Sequence, residues 1–140
     1  MIEFSDLKVL VVEDEGVVAL MIEDMLEDLG CSIAASVARL PEACAAAAGS
    51  EFDLAVLDVN LAGQPSFPVA EILRERGIPF MFSTGYGKGS LPEEYAGCPV
   101  VGKPFSVEDL KQEMTVAIGS RGSLRRTRGA DRLASMLRKG

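Results

Sequence analysis

The sequence predicts an α/β protein: a doubly wound parallel sheet of five strands with helices on both faces. Three observations predict it. Five short, uncharged apolar runs recur along the 140 residues, segments with helix start and stop signals lie between them, and the connections are short. Near-continuous apolar runs suit strands covered on both faces. A repeated βα unit with short, right-handed crossovers closes into the doubly wound form.

The elements follow in order. "VLVV" (9–12) is the first strand. A helix over 16–29 then places Val18, Met21 or Ile22, Met25 and Leu29 on one stripe, with Glu23, Asp24, Glu27 and Asp28 opposite. Gly30 closes that helix. "IAASV" (33–37) is the second strand and the weakest signal. "LPEACAAAAG" (40–49) begins with Pro41 near the first helical position and ends at Gly49. "LAVL" (54–57) is the third strand, and "FPVAEILRERG" (67–77) is a helix stopped by Gly77. "IPFMF" (78–82) is the fourth strand. The Gly- and Pro-laden "GKGSLPEEYAG" (87–97) predicts a short or mobile fourth helix. "PVV" (99–101) is the fifth strand. "SVEDLKQEMTVAIG" (106–119) opens with Ser106 and Asp109 in capping-box spacing and runs Val107, Leu110, Met114 and Ala117 along one face.

Composition bounds the chemistry. Over the 140 residues a hydrophobic fraction of 48% with 25% charged residues is that of a soluble globular protein, and one domain, expected over residues 1–120, is large enough to fold without staples. Cys31, Cys44 and Cys98 have no metal-type spacing; Cys31 and Cys44 read as small core fillers in a reducing compartment. The absence of histidine excludes His-based catalysis and His-rich metal sites. The first residues carry no basic, apolar leader pattern and no apolar run is long enough to span a bilayer, so a cytoplasmic location is expected. Residues 121–140 hold seven basic residues and one acidic, a net charge of +6. The other 120 hold seven basic and twenty acidic, a net of −13. An acidic body repels nucleic acid, so no direct DNA binding is expected from it.

In such a sheet, ligands bind at the carboxyl ends of the strands. The first strand ends in Glu13 and Asp14, the third in Asp58 with Asn60 two residues on, the fourth in Thr84, and the fifth in Lys103 before Pro104. Taken singly, each is ordinary: Glu13–Asp14 reads as a solvated turn with Asp14 capping the next helix, and Lys103 as a surface lysine. Together they deliver three carboxylates, a hydroxyl and an ammonium to one rim. Two carboxylates about 4 Å apart repel by roughly 4 kcal/mol at an effective dielectric near 20. A hard divalent cation offsets this, and an all-oxygen donor set favours Mg²⁺. Asp14 and Asp58 are candidates for direct ligation, the Asn60 main-chain carbonyl for a third oxygen, and the longer Glu13 for contact through water. Asp58 then becomes a nucleophile toward a phosphoryl group, with Lys103 balancing charge and Thr84 donating a hydrogen bond.

These five motifs, in this order over residues 6–119, resemble the receiver domain of two-component response regulators. The resemblance implies a flavodoxin-like sheet of order 2-1-3-4-5. It implies Asp58 as the residue phosphorylated from a phosphohistidine of a sensor histidine kinase or phosphotransfer protein. It further implies Glu13 and Asp14 as the magnesium-holding pair, Asn60 as the backbone ligand, Thr84 as the switch hydroxyl and Lys103 as the phosphate contact. "GIPFMFSTGYG" with "DVNLAGQPSFPVAEIL" is similar to the alphaproteobacterial "FAT GUY" receivers, often stand-alone and served by kinases of the HWE or related class; Ser83 replaces that pattern's alanine. Most receivers carry an aromatic residue three before the lysine, where this chain has Val100. Tyr86 is either its substitute or a loop aromatic packed on the domain edge.

The tail "RGSLRRTRGADRLASMLRKG" reads as a solvated linker followed by a short amphipathic stripe of Leu133, Met136 and Leu137. It is a disordered or folded-back basic end, or a binding element for an acidic partner, a membrane surface or nucleic acid. It is too short for an effector domain, so output is expected through protein contact, phosphate sharing or the tail itself. The competing class is an Asp-nucleophile phosphatase of haloacid-dehalogenase type. That family wants Asp-x-Asp after its first strand, whereas this chain has Asp-x-Asn after its third. A flavin-binding sheet is weaker still, since no phosphate-cradling loop is present.

Overall fold

The computed structural model describes residues 4–85 and 91–119. The apolar runs form strands β1 (Lys8–Val12), β2 (Ser32–Val37), β3 (Leu54–Asp58), β6 (Phe80–Thr84) and β7 (Val100–Gly102). A small hairpin, β4 (Asn60–Leu61) and β5 (Gln64–Pro65), follows β3. Helices α1 (Gly16–Asp28), α2 (Leu40–Gly49), α3 (Phe67–Arg76) and α4 (Val107–Gly119) connect or follow the strands. The main sheet is parallel, in the order β2-β1-β3-β6-β7. Counting only its own strands this is 2-1-3-4-5, as expected.

Side chains alternate across a strand, and the core divides accordingly. Val9, Val11, Val56 and Met81 pack with Ile22 and Leu26 of α1 and Leu110 and Met114 of α4 on one face. Leu10, Leu57 and Phe82 pack with Ala43 of α2 and Leu73 of α3 on the other. Only the inner strands are buried on both faces. β2 alternates between exposed and half-buried positions because it is an edge strand with water on one side. This is why its sequence signal is the weakest.

The structure settles one alternative, shortens one predicted element and adds another. Of the alternatives Met21 and Ile22 in the α1 stripe, Ile22 is the buried one, with Val18, Met25 and Leu29 packed beside it, while Met21 turns outward to 46% exposure. The predicted fourth helix is, among the described residues, a single 3-10 turn at Glu93–Tyr95. The hairpin β4–β5 is an element that the apolar runs do not signal. Its two-residue tip, Ala62–Gly63, has positive φ at both positions, 51° and 91°, the geometry of a type I′ turn.

Local signals otherwise hold. Ser106 and Asp109 exchange side-chain–backbone hydrogen bonds at 3.0 and 3.1 Å, as a capping box requires. Gly77 takes the left-handed conformation that ends α3. Cys31 lies in the core, and Cys44 and Cys98 pack partly buried against it. No described helix is long and apolar enough to cross a membrane.

Candidate phosphoryl-accepting site

β1, β3, β6 and β7 end at one rim and bring the predicted residues there. Parallel register sets Asp58 beside Ser83, and Thr84 beside Gly102. Asp58 is thus flanked on one side by the Thr84 strand and on the other by β1, which delivers Glu13. The Lys103 amide donates to the Thr84 carbonyl at 2.8 Å, carrying the sheet pairing one residue further. The Lys103–Pro104 peptide is cis.

Glu13, Asp14 and Asp58 each offer a carboxylate oxygen, all within 4.8 Å of one another. The Lys103 ammonium lies 2.9 Å from Glu13 Oε1 and 3.2 Å from Asp58 Oδ2. Glu13 is buried, not solvated, and Lys103 is half-buried rather than a free surface lysine. Nor does Asp14 cap α1: the N-cap position is Glu15 and has no side-chain cap bond. Asp14 Oδ2 instead accepts from the Ala62 amide at 3.0 Å, across the site. Asp58 Oδ1 accepts from the Asn60 amide at 3.3 Å, and Asn60 Oδ1 accepts from the Gly63 amide. Thr84 is buried. Tyr86 and the tail lie outside the described residues.

The hairpin tip therefore belongs to the site, since its amides hold both Asp14 and Asn60. Sequence reasoning missed this. The available signal was "LAGQ", an Ala-Gly pair suited to a two-residue turn.

The electrostatics are those of an overcrowded anionic pocket. Burial first, and then the neighbouring Asp58 charge, push Glu13 up from 4.5 to about 7 against the lowering effect of Lys103. Burial raises Asp58 as well, with Glu13 and Lys103 pulling the other way. Burial alone would lower Lys103, but its two carboxylate partners hold it above the ordinary lysine range. A dication fits this donor set. The ligands are all oxygen, and buried Glu13 Oε1 has an ion-pair neighbour but no directed hydrogen bond.

A pH dependence follows. With Glu13 raised in the folded state, the native protein holds more protons than the unfolded chain between about pH 4.5 and 7. Stability of the metal-free protein therefore falls as pH rises through that window. Added Mg²⁺ should offset the loss, by about 2.7 kcal/mol at roughly 100 times Kd, and with greater effect at about pH 8 than about pH 6. Melting curves with and without Mg²⁺ at both pH values check this; an equal gain at both would contradict it.

A family model described as the response regulator receiver domain matches residues 9–115. The chain belongs to this receiver family. Among curated proteins, this receiver is 30% identical over 129 residues to the transcriptional regulatory protein TcrA of Mycobacterium tuberculosis. It spans 49% of that protein, so about half the length of the curated relatives it matches. Among solved structures it is similar to SdrG from Sphingomonas melonis Fr1, at 36% identity and a TM-score of 0.73, over 84% of this chain and 99% of that one. It is also similar to the anti-anti-sigma factor PhyR from Bartonella quintana, at 27% identity and a TM-score of 0.72, over 87% of this chain and 51% of that one. Receivers bind Mg²⁺ at an acidic pocket, and this chain carries an acidic Glu13–Asp14–Asp58 group at its strand rim.

Proposed function

We propose that this receiver is a phosphorylation switch that accepts a phosphoryl group on Asp58 from the phosphohistidine of a sensor histidine kinase or phosphotransfer protein. The observation that carries the reading is the Lys103 ammonium set between Glu13 and Asp58, at 2.9 and 3.2 Å, in a three-carboxylate cluster at the strand rim. An Asp58 carboxylate oxygen attacks phosphorus, the P–N bond breaks, and the imidazole leaves with the electron pair. Lys103 follows the charge onto the phosphoryl oxygens, and the Thr84 hydroxyl turns toward one of them. Glu13, Asp14, Asp58 and the Asn60 carbonyl would hold Mg²⁺, which supplies neutralisation of the phosphoryl charge. The same side chains bind and orient whether the donor is a protein or a small acyl phosphate.

The protein is a signalling element rather than a turnover enzyme, working in the cytoplasm with reduced cysteines. Its output is protein contact or phosphate sharing with another regulator. Similarity to the receiver-containing part of an anti-anti-sigma factor supports a protein partner. The phosphatase alternative lacks support, since the acid pair it needs after the first strand is Glu13–Asp14, without the Asp-x-Asp spacing.

The test is incubation with acetyl phosphate and Mg²⁺, followed by intact mass. One phosphoryl group per chain, slowly lost, is expected; sustained hydrolysis of a generic phosphoester would overturn the reading. Thr84→Ala should still accept the label. Its conformational response to a beryllofluoride analogue should fall roughly fivefold, the equivalent of one hydroxyl hydrogen bond of about 1 kcal/mol. A response equal to wild type would remove Thr84 as the switch.

A further inference from the structure

Helix α1 presents an unusual outward face. Val17, Leu20 and Met21 are exposed at 74%, 61% and 46%. Met21 also borders a groove lined by Val18, Met25 and Phe105, with Glu15 and Lys103 at its end nearest the acidic pocket. Moving down the same face, away from the pocket, Asp24 and Asp28 follow Met21 at helical spacing and are exposed. The face is therefore ordered from the pocket downward: acidic at Glu15, apolar over 17–21, then acidic again.

The C-terminal segment carries the complementary order. α4 packs beside α1 in the core and runs from the pocket rim at Val107 to the opposite rim at Gly119. A chain leaving Gly119 starts at the lower end of α1. Next in sequence come Arg121, Arg125, Arg126, Arg128 and Arg132, then Leu133, Met136 and Leu137 at the spacing of one helical face, then Arg138 and Lys139. Laid upward along α1, the basic stretch meets Asp24 and Asp28, the apolar stripe meets Val17, Leu20, Met21 and the groove, and the last two cations meet Glu15.

We propose that residues 121–139 dock intramolecularly on this α1 face, with Leu133, Met136 and Leu137 seated against Met21 and the neighbouring groove. Reach permits it. The fourteen residues from Gly119 to Leu133 extend up to roughly 45 Å, whereas the thirteen residues of α1 span about 20 Å. Charge favours it, since a +6 segment faces a −13 body. Covalent linkage supplies an effective concentration in the millimolar range, so modest contacts suffice. A segment seated there lies beside the mouth of the Asp58 pocket, in the way of a protein phosphodonor but not of a small one. That consequence rests on the proposed function; the docking does not.

The test uses the full chain with methyl-labelled Met, Leu and Val, and NMR spectra of wild type against a Leu133→Ser/Met136→Ser/Leu137→Ser variant. Docking predicts shifts of the Val17, Leu20, Met21 and Met25 methyl signals, unchanged core signals such as Leu54 and Leu57, and the same α1 shifts in wild type at high salt. The reciprocal variant Asp24→Lys/Asp28→Lys, at exposed positions, should move the Met136 methyl signal. Unmoved α1 methyls in both variants would overturn the proposal, as would shifts that depend on protein concentration, which would assign the face to a second copy. These signals report docking whether or not Asp58 accepts a phosphoryl group.

Discussion

An Asp58→Asn protein should take up no phosphoryl group from acetyl phosphate or from a phosphorylated kinase, while keeping its fold. The loss is complete rather than graded, because the amide has no carboxylate oxygen to form the acyl phosphate. The same change should leave the metal-free protein at least as stable as wild type. Burial already disfavours the Asp58 charge, and its removal takes one anion from beside Glu13 while the Lys103–Glu13 pair at 2.9 Å remains. Intact mass after donor treatment and a melting curve in chelator check the two halves. Label of equal stoichiometry would remove Asp58 as acceptor. A melting point well below wild type would show that Asp58 holds the pocket together rather than straining it.

Tyr95→Ala should destabilise the protein by about 3–5 kcal/mol, the range for deleting a fully buried aromatic side chain. Tyr95 is 1% exposed, stacks on Phe67 at 5.0 Å between ring centroids and meets the edge of Phe82 at 5.7 Å. The Arg74 guanidinium lies 4.4 Å from the centre of its ring, and its hydroxyl donates to Glu71. Tyr95→Phe retains the stacking and gives up only the hydroxyl bond, so it should cost about 1 kcal/mol. Urea denaturation of both variants separates the contributions. Near-equal losses would place the energy in the hydroxyl rather than in the ring. One 3-10 turn, Glu93–Tyr95, is thereby anchored onto α3.

Tyr95 also marks the limit of what was legible from the residues. The three inner strands were readable because each is buried on both faces and leaves an uninterrupted apolar run, while the edge strand β2 gave a weaker one. The rim residues were readable because strand ends in this architecture converge. The 3-10 turn at Glu93–Tyr95 was not, since its placement comes from one aromatic seated by residues of α3, a tertiary contact with no local period. The hairpin after Asp58 was missed for a related reason: two-residue strands are too short to show alternation. In helix α1 the stripe of Val18, Met25 and Leu29 was legible, but the choice between the adjacent Met21 and Ile22 was not, because only packing against the sheet buries Ile22. The turn reading of Asp14 failed because its partner, the Ala62 amide, is 48 residues away.

The bond between Asp14 and Ala62 has a practical bearing on protein engineering. The tip at Ala62–Gly63 is exposed and would ordinarily be chosen for inserting a tag, a fluorophore loop or a split point. Here it serves as a clasp between two separate chain crossings. Lengthening it by even a few residues would loosen the acidic pocket without altering any of its carboxylates, so a reporter built there would record its own damage.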